Sequence, residues 1–481
     1  MAMPRLIPAP KEVALSREMV TVGADWGLVD ESSDERVAAR FAEAFGLARG
    51  RGEKNIELLR SEGLGEEEYA LEIAAQGVKV SASSWRGFLY ALATLAQVRN
   101  GPALPVGKIR DYPRLRVRGI QLMFESFVQM GGGEALALVR SAAKLKLNTI
   151  LLEFGDRFPF QKHRVVASPT ALTRDEVVQL LELARDNGMQ AIPLLQSLGH
   201  LRYLLKHDEY ADIREEEQHQ DQMCPSNEKS FRVWCELAEE ILALFPGCQL
   251  MHIGADETRR LGVCPRCRGQ DKGALYLSHI NKVCAWLSER GITPILWDDI
   301  LCAHPQLMDQ LHPSAWVMYW DYWTTSSPSP LLIARYDREG KSDSVYDQRW
   351  QKEWKAELSD VTADTLRFFG SPVPLEEDLG PDFLRMFRPY LGDQFPKCVR
   401  AFPYLEYYQE HGRRVICGPT CSGNTSDWLS LPDFPRYGTN IKLFAERAME
   451  AKAEGVITTA WYNLPPELIN FGLLATAHFT W

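Results

Sequence analysis

The fold is indicated by one segment, Gln249-Leu-Met-His-Ile-Gly-Ala-Asp-Glu-Thr258, an apolar run of strand length that ends in glycine and two adjacent carboxylates. Such a run is typical of a barrel strand whose carboxyl end opens into an active site. Alternation along a strand places His252 and Asp256 on the same face, which can point inward. Glu257 breaks that alternation, so it joins Asp256 only if the chain is already turning there. The alternative interpretation is a strand end whose acids cap a helix or face water.

The pattern around this segment repeats along residues 109–481, where apolar strands alternate with helices. This alternation indicates parallel βα units. Eight strands, the number that closes a barrel, are predicted at 117–124, 149–154, 191–196, 249–254, 293–297, 316–319, 415–418 and 456–460. Helices are predicted at 134–144, 174–187, 230–245, 275–290 and 441–454. The Pro-rich and charged interval at about 325–413 is predicted to be an insertion in the strand-to-helix loops.

Residues 1–108 have a different pattern. Strands at 69–73 and 78–82 flank a turn, and an apolar helix follows at 87–98, which predicts a small α+β domain. The predicted fold class is therefore α/β, a (β/α)8 TIM barrel preceded by a small α+β domain.

The composition excludes several classes of protein. The chain has 481 residues, which suits a barrel of about 250 residues or more with an additional domain. With 54 basic and 64 acidic side chains the net charge is −10, and no Lys/Arg-rich tract occurs, so no nucleic-acid partner is expected. The first residues lack a signal-peptide core, and no run is long enough to span a bilayer. Ten scattered cysteines suit a reducing compartment, and we expect a cytoplasmic protein that does not bind membranes.

Polar and aromatic side chains follow nearly every predicted strand, at the rim where a barrel places its active site. The clusters are Glu153-Phe-Gly-Asp-Arg-Phe-Pro159, Gln196-Ser-Leu-Gly-His200, Asp256-Glu257, Trp297-Asp-Asp299, Tyr319-Trp-Asp-Tyr322 and Trp461-Tyr-Asn463. Each alone fits ordinary loop polarity, but their common position predicts a site. Two carboxyl groups in one cleft can have different pKa values, which suits acid-assisted bond cleavage. Large aromatic side chains suit the apolar face of a sugar ring.

These motifs resemble those of family-20 glycoside hydrolases, the β-N-acetylhexosaminidases, whose hallmark is His-x-Gly-Gly-Asp-Glu. It stands here as His252-Ile-Gly-Ala-Asp-Glu257, with Ala255 in place of the second glycine. The segments 151–160 and 192–200 and the motif Trp297-Asp-Asp299 are similar to the hexosaminidase D branch. The first hundred residues resemble the small domain that precedes the barrel in many bacterial members, notably at 68–73 and 84–95.

The resemblance implies an exo-acting β-N-acetylhexosaminidase that hydrolyses terminal β-linked GlcNAc, GalNAc or both. Members use substrate-assisted retaining catalysis, in which the 2-acetamido oxygen is the nucleophile and an oxazolinium intermediate forms. Glu257 would be the general acid and base, and Asp256 would orient the acetamido group. A small glycoside or glycan is the expected partner and no cofactor is expected. The oligomeric state, a homodimer included, is left open.

The resemblance also implies a set of substrate-binding residues. They are Asp156, His200, His252, Trp297, Asp298, Trp320, Tyr322, Trp428, Trp461 and Asn463. The tryptophans would enclose the acetamido methyl group and the sugar face, and Tyr322 would donate to the acetamido oxygen. Buried core tryptophans and structural histidines are the alternative for individual members of this set.

The chain departs from the family after the first strand. Typical members have an Arg there, and the hexosaminidase D branch a Lys, to bind the outer sugar hydroxyls, whereas this chain has Ser126. Glu125 or Arg157 could compensate. The preference between GlcNAc and GalNAc is therefore left open.

The motif Cys264-Pro-Arg-Cys267 has the spacing of half a zinc site, but a structural zinc ion normally needs four ligands. A composite site with Cys417 and Cys421 is conceivable, yet free thiols or a local disulfide are favoured, and no metal is predicted.

Three other functions remain open. A metal-dependent hydrolase could use His200, His252 and Asp256. A sugar-binding barrel could have lost turnover while keeping its tryptophans. An O-GlcNAc hydrolase would have a similar fold, although its paired residues are usually two aspartates.

Overall fold

The structure is a computed structural model that describes most of the chain. The described residues are 6–125, 130–258, 260–322, 324–328, 331–334, 351–353, 372–373, 386–395, 400–422, 433–461 and 466–481.

The N-terminal part is a mixed seven-stranded sheet with two helices. The strands are β1 (Glu12–Thr21), β2 (Trp26–Glu31), β3 (Ala48–Arg49), β4 (Lys54–Arg60), β5 (Tyr69–Ala74), β6 (Gly77–Ala82) and β7 (Ala103–Asp111), in the order β1-β7-β5-β6-β4-β2-β3. Alternate residues of β5 are buried, which is the pattern of a sheet with one face on a core. Helices α1 (Glu35–Phe45) and α2 (Trp85–Val98) begin at the N-caps Asp34 and Ser84, whose side chains accept backbone N–H groups.

The remaining part is a closed barrel of eight parallel strands. They are β8 (Val117–Met123), β9 (Thr149–Glu153), β10 (Gln190–Leu194), β11 (Leu250–His252), β12 (Thr293–Trp297), β13 (Trp316–Trp320), β14 (Val415–Gly418) and β15 (Gly455–Ala460). Strand β15 pairs in parallel with both β8 and β14, which closes the ring. All carboxyl ends therefore meet at one rim.

Helices connect and surround these strands. They are α3 (Gly132–Lys144), α4 (Arg174–Asp186), α5 (Arg202–Leu205), α6 (Glu228–Leu242), α7 (Lys272–Ser288), α8 (Asp299–Ala303), α9 (Tyr404–Glu410), α10 (Phe434–Glu450) and α11 (Pro466–Thr480). One apolar core lies between strands and helices. A second, which includes Leu194, Ile295 and Met318, fills the barrel interior.

Shorter elements lie in the loops. A two-stranded hairpin, Arg214–Glu216 with His219–Met223, follows β10. Within the interval predicted to hold an insertion, Leu331–Ala334 pairs with both Gln351–Glu353 and Pro372–Val373 in a small antiparallel sheet.

A buried ion pair joins the N-terminal sheet to the barrel. Lys146 Nζ lies 2.7 Å from Asp111 Oδ2, and both side chains are fully buried. The hydroxyl of Tyr69 donates to Asp111 Oδ2 at 2.6 Å, and Trp481 Nε1 donates to Asp111 Oδ1 at 2.7 Å. Burial lowers the pKa of Lys146 to about 8, against the opposing effect of Asp111. This network fixes the sheet against α3, β9 and the C-terminal helix.

The predicted fold class is confirmed, and all eight barrel strands occur where the sequence pattern placed them. Several other elements were missed. Strand β1 is exposed along most of its length, so it lacks the alternation that identifies a half-buried strand. Helix α11 packs against α3, α10 and two barrel strands, and a helix buried on several sides loses the amphipathic period. In the described part of the chain no helix is both long and apolar enough to cross a bilayer.

Candidate active site

The carboxylates Asp256 and Glu257 lie at the barrel rim because the chain turns sharply after β11. Gly254, Ala255 and Glu257 have φ values of +63°, +73° and +50°. A Cβ at Gly254 would lie 1.8 Å from the side-chain oxygen of Gln196, so only glycine fits there. The other two residues occupy a region that costs L-residues roughly 1–2 kcal/mol. The strand ends at His252, and the turn brings both acids into the same mouth.

Buried Asp299 holds this turn. Its Oδ2 accepts the backbone N–H of Glu257 at 2.7 Å. The left-handed conformation of Glu257 is thereby stabilised by a hydrogen bond to a side chain from the next strand end.

His200 bridges the two acids. Its Nε2 lies 3.3 Å from Asp256 Oδ2 and 3.6 Å from Glu257 Oε2. Burial opposes the imidazolium form, but the charges of Asp256 and Glu257 prevail and raise the pKa of His200 well above its usual value. Burial also opposes ionisation of Asp256, and His200 outweighs it, so the pKa of Asp256 is lowered. The two groups form an ion pair at neutral pH.

The second oxygen of Asp256 is available. Asp256 Oδ1 is buried and has no hydrogen-bond partner among the described residues. An ionised buried carboxylate normally satisfies both oxygens. The mouth therefore contains a strong acceptor that lacks a donor from the described part of the protein.

His252 supplies a hydrogen-bond donor, its Nε2–H, near the acceptor on Asp256. Its Nδ1 accepts the N–H of Gly254 at 3.0 Å, and burial lowers the pKa of His252 to about 3. A neutral imidazole that accepts at Nδ1 carries its proton on Nε2. That Nε2 is buried without a partner in the described residues, and so is Nε1 of Trp297.

Aromatic side chains cap the barrel interior next to the acids. The rings of His252 and Trp297 are 4.5 Å apart, and those of Trp297 and Trp461 are 6.0 Å apart. Trp320 lies 4.9 Å from the ring of Tyr322, whose hydroxyl accepts Trp461 Nε1 at 2.8 Å. Burial raises the pKa of Tyr322 well above its usual value, and Asp256 and Glu257 add to that increase. Tyr322 therefore stays a neutral hydroxyl close to the carboxylates.

Buried acids from β8 and β9 extend the mouth. Glu153 accepts from Gln121 Nε2 at 2.8 Å and from Gln196 Nε2 at 3.1 Å. Burial raises the pKa of Glu153 to about 7, although the bond from Gln196 lowers it. Burial, with the charges of Glu153 and Asp156, raises the pKa of Glu125 to about 8. Glu125 is therefore largely protonated at neutral pH.

The structure thus brings together six of the ten residues assigned to substrate binding with the two carboxylates. The six are His200, His252, Trp297, Trp320, Tyr322 and Trp461. Of the other four, the structure describes Asp156 and Asp298. Asp156 is buried, with Oδ2 3.4 Å from Lys206 Nζ. Trp428 and Asn463, like Ser126, lie outside the described residues.

Asp298 faces the layer between the strands and the helices, where Tyr408 lies. Its Oδ1 accepts the N–H of Trp320 at 3.2 Å, and its Oδ2 accepts the hydroxyl of Tyr408 at 3.0 Å. Asp298 therefore fixes β13 and α9 beneath the rim.

Sequence reasoning placed Glu153, Gln196 and Asp299 in the polar clusters at the rim, because each ends or follows a predicted strand, but it gave none of them an individual role. Their hydrogen-bond partners come from other strand ends, which local sequence does not identify. In the described part of the chain, the residues that converge closely enough to hold a metal ion are Glu215, Cys224, Cys264 and Cys267. That group does not include His200, His252 and Asp256, the ligands of the metal-dependent alternative.

Comparison with known proteins identifies the family. Residues 3–112 match the family model "Glycosyl hydrolase family 20, domain 2", and residues 141–336 match "Glycosyl hydrolase family 20, catalytic domain". The two matches together cover more than half of the chain. The chain belongs to glycosyl hydrolase family 20.

This family-20 chain is 31% identical to hexosaminidase D of Bos taurus over 214 residues, 41% of this chain and 61% of that protein. It thus matches less than two thirds of that relative's length. The structure is similar to that of the β-N-acetylhexosaminidase from Bacteroides fragilis, with a TM-score of 0.70, 16% identity, and coverage of 99% of this chain and 90% of that one. The structure is also similar to that of a Streptomyces plicatus N-acetyl-β-hexosaminidase in complex with Thio-NAglucal. The TM-score is 0.67, the identity is 17%, and the match covers 100% of this chain and 91% of that one. These structures share the fold.

Proposed function

We propose that this protein is an exo-acting β-N-acetylhexosaminidase that removes terminal β-linked GlcNAc, GalNAc or both. Family membership and the hexosaminidase relatives support this activity. The observation that carries it is the buried Oδ1 of ionised Asp256, which has no hydrogen-bond partner among the described residues and lies beside Glu257 and an aromatic wall. An acetamido N–H is a donor that suits that oxygen.

In the proposed mechanism the substrate supplies the nucleophile. Asp256 accepts the acetamido N–H and directs the acetamido oxygen to the anomeric carbon. As that oxygen forms its bond, the bond to the aglycone breaks, and Glu257 gives its proton to the leaving oxygen. The oxazolinium intermediate carries positive charge on its ring nitrogen, which Asp256 stabilises. Glu257, now ionised, takes a proton from water, and the water opens the intermediate with net retention of the β configuration.

The surroundings assist the attack by the acetamido group. His200 lies 3.3 Å from Asp256 Oδ2 and stays cationic, so it keeps Asp256 ionised. Trp297, Trp320 and Trp461 would exclude water from the acetamido group, and Tyr322 would donate to its oxygen. Holding an internal nucleophile in attack geometry can lower the barrier by several kcal/mol, up to about 7–11.

The outer hydroxyls would be bound without the usual cation. Glu125 lies close to Glu153 and Asp156, and its carboxyl group, with a pKa of about 8, can donate a hydrogen bond at neutral pH. Arg157 is buried, and its Nε has no partner among the described residues. We propose that these two groups replace the missing Arg or Lys. Rates on aryl β-GlcNAc and aryl β-GalNAc, measured for the wild type and for Glu125→Ala, test this. A sugar-binding role predicts a higher KM in the variant, and an unchanged KM for both sugars would refute it.

The decisive test of the activity is Glu257→Gln on an aryl β-GlcNAc substrate with a leaving group that needs protonation. General acid catalysis contributes about 10²- to 10⁴-fold, so kcat should fall at least a hundredfold. Glu182→Gln, on the surface of α4 with a side chain that is 55% exposed, is the matched control. Proton NMR of the first product should show the β anomer. Inverted product, or equal hydrolysis of glycosides without the 2-acetamido group, would refute the mechanism, and inactivity on every aryl hexosaminide would refute the activity.

A further inference from the structure

Four buried side chains converge between the loop after β10 and the loop after β11. One potential ligand atom from each of Glu215, Cys224, Cys264 and Cys267 lies within 4.8 Å of the others. Cys224 Sγ is 3.4 Å from Cys264 Sγ and 3.5 Å from Cys267 Sγ. In a tetrahedral zinc site, with Zn–S bonds of about 2.3 Å, the sulfur atoms are roughly 3.8 Å apart. Cys224 Sγ therefore needs to move away from the other two sulfur atoms by only a few tenths of an ångström.

Glu215 completes the group. It is 1% exposed, and its Oε1 accepts the N–H groups of Val263 and Cys264 at 2.8 and 3.2 Å. Its Oε2 is buried without a hydrogen-bond partner in the described part of the chain. A buried carboxylate oxygen without a partner is costly, and a cation next to three cysteine sulfurs would satisfy it.

We propose that Cys224, Cys264, Cys267 and Glu215 bind one structural zinc ion. Three thiolates favour a soft or borderline ion such as zinc over magnesium or calcium. Four protein ligands leave no open position, which is the feature of a structural rather than a catalytic site. Ser226 Oγ, 3.2 Å from Cys267 Sγ, can donate to that sulfur when it is a thiolate.

The proposal differs from the sequence-based interpretation, which favoured free thiols or a local disulfide for Cys264 and Cys267. The zinc site considered there paired these two cysteines with Cys417 and Cys421. Cys224 is 40 residues from Cys264 in sequence, and only the fold brings them together. None of the nine described cysteines is in a disulfide. A disulfide would use two of the three sulfurs in this cluster and leave Glu215 Oε2 without a partner.

The metal would link the two loops that carry the candidate active site. Cys264 and Cys267 follow Glu257 in one loop, and Cys224 follows His200 in the other. The loops already touch, because the N–H of Arg260 donates to Gln222 Oε1 at 3.0 Å. The ion would hold the loop of Glu257 against the loop of His200. This role does not depend on which reaction the protein catalyses.

The first measurement is the metal content of the purified protein, reconstituted with zinc under reducing conditions and passed through a desalting column. Elemental analysis should give about one zinc per chain, and Cys264→Ser should lose most of it. Cys235→Ser is the matched control, because Cys235 is a half-buried thiol of α6 outside the cluster, and it should retain the metal. Glu215→Gln should release zinc to a chromogenic chelator faster than the wild type.

A second measurement avoids any dependence on variants that fail to fold. Cobalt added to the metal-free wild type should produce the visible absorption of a tetrahedral thiolate site, and zinc should displace it. A wild type that takes up no metal after reconstitution would overturn the proposal. So would an unchanged zinc content in Cys264→Ser, or a disulfide between Cys264 and Cys267 in the protein as purified. None of these readouts uses hydrolysis, so failure here is distinct from failure of the proposed function.

Discussion

Replacing Asp256 with asparagine tests the central electrostatic role. Asp256 Oδ2 is 3.3 Å from His200 Nε2, while Oδ1 is buried and has no partner in the described residues. The amide keeps a carbonyl oxygen that can accept the acetamido N–H, but it removes the negative charge. A charge about 4 Å from the developing oxazolinium contributes on the order of 4 kcal/mol at an effective dielectric constant of about 20. With part of this regained by relaxation, a loss of about 3 kcal/mol corresponds to roughly a hundredfold lower kcat.

The Michaelis constant should change much less, because the acetamido group is neutral in the ground state. Steady-state kinetics on an aryl β-GlcNAc would separate the two effects. The pKa of His200, followed by NMR, should fall in the same variant because its main opposite charge is gone. Asp309→Asn, whose side chain is 84% exposed, is the control. A kcat within threefold of the wild type, or a loss confined to KM, would refute this reasoning.

Three further predictions concern stability and are checked by urea unfolding. Ala255 has a φ of +73°, so Ala255→Gly should relieve about 1–2 kcal/mol of strain and lose up to about 1 kcal/mol to glycine entropy; a net loss of stability would contradict this. Lys146→Met should lower the free energy of unfolding by about 3–5 kcal/mol because it leaves Asp111 charged and buried, and adding Asp111→Asn should recover part of that loss. Glu153 has a pKa raised by burial from 4.5 to about 7, so the folded state holds a proton that the unfolded state releases in this window. Stability should therefore fall as pH rises from about 4.5 to 7, by on the order of 1–3 kcal/mol, and Glu153→Gln should flatten this slope; an equal slope in both proteins would refute the assignment.

The local sequence pattern was sufficient to predict the strands of the barrel. Strands such as Thr293–Trp297 are short apolar runs buried on both faces, and helices such as α4 begin at a capping box, here Thr173 with Glu176. These features depend on burial and hydrogen bonding within a few residues of the chain, so they can be recognised without tertiary contacts. Strand β1 is mostly exposed, so its sequence shows no alternation of apolar and polar residues.

The sequence by itself determined the barrel, the adjacent acids at its rim and the aromatic residues available to a sugar. Tertiary structure alone decided which groups pair. Asp299 accepts the N–H of Glu257, Asp298 accepts the hydroxyl of Tyr408 in the layer between strands and helices, and Glu215 lies beside three cysteines. The physical reason is that a local pattern reports whether a side chain is buried. Closure of the barrel decides which distant strand end that side chain faces. The groups on that strand end determine its hydrogen-bond partners and its protonation state.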